Sequence, residues 1–409
     1  WMAEREKMPP QKNNITKFRQ DRRGQICGLF KSLALLGLLC SMVYCVWNYH
    51  EQLTLSSLRR MASYFSAVWA SGDADFAGYT FEDGIDSVYD EFGNGLVVLG
   101  GDTLSFVSTQ GKEELSIPLQ YSSPALSVAE DNMLAYDRGG HGLCLTNRYT
   151  ALWQKDLESE IISASVNQNG AFSVVTDEQG YRAAVTLYDN QQKERFRWNT
   201  SEYYILLSCV SPDSQHLAAL CMSEENGKRV SMIRVFSIHQ EQPLFDLPLG
   251  SMTVYSMEYY EDDSLMIVTD QGVYSYDDQG QERGVFSYPE GSLVTFSHKM
   301  GQRPVVALET GDQQERTQVV MVGENGQTVF EARYSSAVRS LSAAGDHIAI
   351  LLRDSLVCTS IIPGASARQV QEITARDVIQ RRDGDVMLIY ADRAELLDKD
   401  AGDRPGVTR

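Results

Sequence analysis

Read from about residue 78 onward, the chain alternates hydrophobic and polar positions with period two, in short runs separated by turn residues. This is the pattern of β-strands rather than helices. Two kinds of turn take turns along it. The first joins an alternating run to a strongly apolar one: "EFGNGLVVL", "AEDNMLAY", "NQNGAFSVV", "SPDSQHLAAL", "YEDDSLMIV", "MGQRPVVAL", "AAGDHIAIL" and "RRDGDVMLI". One turn residue from each (Asn94, Asn132, Gly170, Ser214, Asp263, Gln302, Asp346, Asp385) gives steps of 38, 38, 44, 49, 39, 44 and 39 residues. The second kind follows some 15–25 residues later, at Gly111, Arg148, Gln191, Gln240, Gly280, Gly326 and Gly364.

A four-stranded unit repeating about every 40 residues predicts the blades of a β-propeller, because one such sheet cannot cover both of its own faces and must stack radially until the circle closes. The expectation is an all-β fold over residues 77–400 with eight blades, seven being the alternative. The eighth unit, "DVIQRRDGDVMLIYADRAELLDKD", holds three strands. Its missing outer strand is expected from "GYTFED", Gly78 to Asp83, which would leave no open sheet edge. In this reading "QGVYSYDDQG" (271–280) is a third strand with its turn into the fourth.

Upstream the period changes. "ICGLFKSLALLGLLCSMVYCVW", Ile26 to Trp47, is 22 residues with one charge, Lys31, near its front end. That length spans a bilayer, and a lysine at one end can snorkel to the interface. Residues 1–25 form a basic tail. Over residues 1–31, eight Lys/Arg stand against three acids, so that of the formal net charge of −19 the remaining residues carry −24. The basic flank predicts a cytoplasmic N-terminus and a propeller outside the cytoplasmic membrane, single-pass. A cleaved signal peptide is the rival, but no small-x-small site follows the apolar run before Val68-Trp69-Ala70, and Leu39 before Cys40 argues against a lipoprotein. Residues 48–76 read as an amphipathic juxtamembrane helix, with Leu55, Leu58, Met61, Phe65 and Val68 on one face. Residues 401–409 read as a flexible tail.

The repeats resemble two propeller groups. "SPDSQHLAAL" (211–220) is similar to the inner turn of WD-type repeats. "LYDNQQKERFRW" (187–198), echoed by "VSTQGKEELSI", resembles the third-to-fourth-strand turn of quinoprotein-type repeats, a resemblance that implies eight blades. Quinoprotein enzymes carry adjacent cysteines, which are missing here, so no quinone cofactor is expected, nor any other. The whole layout also resembles single-pass propeller proteins of Gram-positive bacteria, which implies no activity.

The acidic body disfavours nucleic acid as a partner. Cys27, Cys40 and Cys45 belong to the apolar segment. Cys144, Cys209, Cys221 and Cys358 lie singly in strand-like runs and are expected as buried thiols, with a Cys209–Cys221 bridge left open. No CxxC, HExxH, GxSxG, P-loop or strand-borne GxGxxG occurs, and "DKDAGDRPG" lacks the closing Glu of a calcium loop. The histidines of the body, His141, His216, His239, His298 and His347, are each expected at the surface or in turns.

One pattern points to a face. The loops joining second to third strands carry an acid in unit after unit: Asp102, Asp137, Asp177, Asp270, Asp312, Asp354 and Asp392. A ring of carboxylates there would attract cations or a basic partner; equally, Asp starts turns by capping the amides that follow. The longest such loops are "DEQGYR" (177–182, ending in Arg182), "SEENGKR" (223–229) and "ETGDQQER" (309–316), with Tyr203 and Tyr204 as nearby aromatic anchors or as packing on a neighbouring blade. The expected function is a non-enzymatic binding or scaffold module for a protein, peptide or envelope polymer, tethered by the N-terminal helix. The alternative is an extracytoplasmic carbohydrate- or peptide-acting enzyme with its site in the central funnel.

Overall fold

The computed structural model describes residues 78–397 apart from 82–86, 94, 109–110, 261, 313 and 363–366. The expected anchor, juxtamembrane helix and tails lie outside the described residues, among which no helix is long and apolar enough to cross a membrane.

Eight four-stranded antiparallel sheets follow one another. Numbered as blades, they occupy residues 88–118, 124–156, 161–200, 204–250, 254–287, 293–334, 338–371 and 377–397. The first seven run in chain order. In the eighth, the strands Asp377–Gln380, Val386–Ile389 and Arg393–Leu397 are completed by Tyr79–Thr80, with Tyr79 opposite Ala394 and Thr80 opposite Arg393. The Phe81 amide donates to the Asp392 carbonyl (2.8 Å), extending the closure. The ring is fastened by the segment expected from the sequence, and it has eight blades.

What holds neighbours together is visible in the second strand of each blade. In Gly95–Leu99, all of whose residues are buried, Leu96 and Val98 pack with Ile379, Met387 and Ile389 of blade 8. Val97 and Leu99 pack with Met133, Ala135 and Cys144 of blade 2. Successive side chains leave a strand on opposite faces, and both faces here meet another sheet, so the run is apolar throughout rather than alternating. Each blade interface has such a cluster. Burying one Leu or Val side chain contributes about 1.5–3 kcal/mol, so the last interface closes by the same burial as the others, through a smaller cluster than that between blades 1 and 2.

Inner strands have one edge facing the axis, with no further strand to satisfy it. Serines from the preceding blade supply acceptors: Ser127 Oγ takes the Val166 amide (3.1 Å), Ser297 Oγ that of Ala343 (3.1 Å) and Ser342 Oγ that of Gln380 (2.9 Å). Near the closure, Asp377 accepts from Tyr89 Oη of blade 1 (3.0 Å) and from Ser340 Oγ of blade 7.

The motif "QGVYSYDDQG" is the third strand of blade 5, Gly272–Tyr276, and its turn. Gly280 has φ +78°, and a Cβ there would meet the Phe245 ring at 2.6 Å, so the turn requires glycine for conformation and for space. "SEENGKR", expected as a loop, is instead paired strand. The hairpin His216–Glu225 and Lys228–Ser237 continues to Glu225 opposite Lys228. Asn226 (φ 54°) and Gly227 (φ 74°) close it, the two positive dihedrals of a type I′ turn. The four described cysteines are free. Cys209 faces Ala218 and Cys221 faces Ile205, so the register separates the two thiols.

Candidate functional site

Each blade's inner strand begins at the crossing from the previous blade and ends at the first kind of turn. The channel along the axis therefore has a crossing end and a turn end. The second-to-third-strand loops lie at the crossing end.

The acids expected to form a ring there act separately, each within its own blade or toward solvent. Asp137, buried, accepts the Ser123 amide (2.7 Å) and Asp270 the Thr253 amide (3.0 Å), each tying a loop to the segment entering its own blade. Asp312 accepts from the Gln314 amide (2.8 Å) and Asp392 pairs with Arg393 (3.1 Å). Asp177 and Asp354 are exposed. Arg182 lies over the Tyr204 ring (4.9 Å), and Tyr204 is 47% exposed. Tyr203 sits half-buried against the cluster of blades 3 and 4, under Arg234 (5.1 Å).

A feature that the alternation pattern does not reveal stands beside Tyr204. In blades 3 to 7 the inner strand slips by one residue near its start. The register passes over Ile162, Leu206, Tyr255, Val294 and Arg339. Blades 1, 2 and 8 keep an unbroken register there. A bulge re-aims the extra side chain. Leu206, Tyr255 and Val294 are 38%, 47% and 48% exposed, Arg339 is exposed and Ile162 half-buried. The crossing end thus carries an arc of apolar groups beside Arg182 and Tyr204.

The cavities lie along the axis and toward the opposite end. One of about 200 Å³ at the turn end is lined by Asp90, Glu91, Glu130, Lys299, Gln302 and Arg382 among others. A second, of about 260 Å³, reaches inward past Ser163, Ser256, Glu258 and His298. The two share Asp90, Val128, Lys299 and Met300, so the Lys299–Asp90 ion pair, which joins blade 6 to blade 1, stands at their junction. At the outer rim Arg382 of blade 8 pairs with Glu130 of blade 2 (3.5 Å), both more than 60% exposed.

These groups touch channel water but are ringed by protein, and poor hydration of charge governs them. Burial pushes Glu91 up to about 7, with Lys299 partly opposing. It pushes Glu258 up to about 8 with no counter-charge and His298 down to about 3. Burial would also lower the Lys299 ammonium, but Asp90, helped by Glu91, outweighs it and holds the group above the usual lysine range. His298 Nδ1 lies 3.0 Å from Ser256 Oγ. His298 is thus a channel residue, contrary to its expected place at the surface. Its sequence signal was a pair of ionisable residues just before a turn, "SHKMGQR", which "YDEFGNG" shares, while in "SMEYYEDD" a single Glu258 holds that place. Among the described residues no group of three or more His, Cys, Asp or Glu is arranged to hold a metal ion.

A family model described as a family of unknown function (DUF5711) matches residues 76–394. No curated protein matches the chain. Among solved structures, the C-terminal WD40 domain of Sif2 is similar at TM-score 0.52 and 12% identity, over 79% of this chain and 97% of that one. BamB from Moraxella catarrhalis aligns at TM-score 0.49 and 10% identity, over 79% and 98%. The β-propeller domain of Myceliophteria thermophila Cps50 (Swd1) aligns at 0.46 and 10%, over 78% and 98%. The likeness to the Sif2 domain, at that identity, is one of fold alone.

Proposed function

The chain belongs to this family of unknown function, DUF5711, so no activity comes with membership, and we propose from its geometry that it is a non-enzymatic binding module for a protein or peptide partner. Held by residues 26–47 at the outer face of the cytoplasmic membrane, with its basic N-terminus inside, it presents the crossing end of the ring. The observation that carries this reading is the bulge repeated at one register position in five successive inner strands. It turns Leu206, Tyr255 and Val294 toward water, where apolar and aromatic groups serve a partner better than they serve the fold.

The test uses the full-length chain in its native membrane with a photo-crosslinking amino acid at Tyr255 or, as control, at Val329, an exposed position of an outer strand. A defined partner is expected from Tyr255 and not from Val329. Combined Leu206→Ser, Tyr255→Ser and Val294→Ser should reduce capture at least about tenfold while leaving the melting temperature within a few degrees. Equal crosslinking at both positions would refute the arc as the docking surface.

A second reading, hydrolysis inside the channel, is favoured by the carboxyls Glu91 and Glu258, raised to about 7 and about 8, the range in which a general acid works near neutrality.

A further inference from the structure

The inner cavity holds an acid that nothing else in the described structure answers. Glu258 lies on the inner strand of blade 5, Val254–Tyr259, and lines the 260 Å³ space. The other carboxyl of that space, Asp90, is taken by Lys299. His298 is engaged by Ser256. Glu258 has no hydrogen-bond or ion-pair partner among the described residues. A second group is also unanswered: Ser163, 8% exposed on the inner strand of blade 3, borders the same cavity with its Oγ bonded to nothing. The hydroxyl is buried without a partner and costly to keep so, the carboxyl is half-buried without a counter-charge, and a ligand carrying the complementary donors relieves both.

We propose that the axial cavity binds an organic primary ammonium group, its N–H donors shared between the Glu258 carboxylate and the serine hydroxyls around it, with its alkyl stem along the apolar wall formed by Leu126, Met257 and Tyr255. An ammonium brings three donors and no acceptor, which matches a wall of oxygens. The Tyr255 ring adds a face that attracts cations. An anion finds no free cation there, because Lys299 is already paired. Among the described residues a divalent metal finds no set of three His, Cys, Asp or Glu ligands. The bases nearest an ammonium are silenced: the Lys299 charge is neutralised by Asp90, and burial keeps His298 uncharged. The carboxyl without a counter-ion is held protonated to about pH 8, and an incoming ammonium supplies the charge that lets it ionise. This site meets the apolar arc at Tyr255, which borders both, and its test, read at Glu258, does not depend on the partner sought there.

The same chemistry is carried by a free alkylamine and by a lysine side chain of a peptide, and two arms distinguish them. The detergent-solubilised full chain is titrated calorimetrically with n-butylammonium chloride, and with a short peptide bearing one lysine and blocked ends. Saturable binding of the butylammonium assigns a small amine; binding of the peptide alone assigns a lysine side chain. In either case Glu258→Gln is expected to weaken binding at least tenfold, and n-butanol is expected not to bind. Asp278→Asn, which removes the same charge from an exposed turn remote from the axis, should leave binding unchanged, separating the cavity from the general pull of an acidic body. Thermal unfolding confirms that Glu258→Gln folds, and Ser163→Ala serves as the second variant, with a smaller weakening. Failure of both ammonium probes to bind, binding unaffected by Glu258→Gln, or equal binding of n-butanol would overturn the proposal.

Discussion

At the turn end of the channel, charged side chains from blades 1, 2, 6 and 8 meet in pairs, Asp90 with Lys299 and Glu130 with Arg382. At the crossing end, bulges in blades 3 to 7 turn out Leu206, Tyr255, Val294 and Arg339. The backbone repeats around the ring, so the fold sets which connections each end carries but not their chemistry. The difference lies in which inner-strand positions are charged and which strands carry an extra residue. One end pairs its charges across the ring; the other leaves apolar side chains exposed.

The sharpest way to break the comparison is to unbalance the paired end. Asp90→Ala leaves Lys299 enclosed without its counter-charge and is expected to cost about 2 kcal/mol in urea unfolding, below the full cost of breaking a wholly buried pair because both groups keep some contact with water. Adding Lys299→Met to that variant should restore much of the loss. An Asp90→Ala protein of unchanged stability would mean that the junction is not held by charge.

A second test uses pH. Burial raises Glu258 to about 8 and Glu91 to about 7, while the unfolded chain ionises both near 4.5. Their contribution to stability is complete below about pH 4.5 and is lost as pH rises through about 7 and then 8. Glu258→Gln removes its share, so the melting temperature of the variant relative to the parent should climb between pH 5 and pH 8. His298 acts in the opposite direction. Held neutral down to about pH 3, it costs stability as pH falls from 6.5 toward 3. A variant whose melting curve runs parallel to the parent's over pH 5–8 would show that Glu258 ionises as freely folded as unfolded.

The smallest effect is expected at the outer rim. Arg382→Gln breaks an exposed pair and should change stability by less than about 1 kcal/mol, a change that 1 M salt erases.

Much of the scaffold was legible because its rules are local. Turn chemistry recurs where hairpins recur, and a second strand covered on both faces must be apolar at every position, as Leu96, Val97, Val98 and Leu99 are. Even the closing strand could be read, since a three-stranded final unit has one obvious donor upstream. The loop acids were legible as residues but not as roles. Asp137 and Asp270 accept from amides 14 and 17 residues upstream, tying each loop to the segment entering its blade rather than capping the amides that follow. The reading of 223–229 as a loop missed that Asn226-Gly227 closes a tight hairpin and lets the strands run on.

By itself the sequence determined the repeating sheet, its order and the device that joins first to last, because these follow from period, turn residues and burial within about 40 residues of chain; that the sheets number eight and not seven was decided by the structure. Only the tertiary structure decided which side chains share the axis. Asp90 and Lys299 are 209 residues apart, and the charges just before the inner turns become neighbours only when the circle closes. The bulges are likewise set by how each inner strand meets its own second strand, through a shift of one residue that leaves the hydrophobic alternation of the other strands untouched.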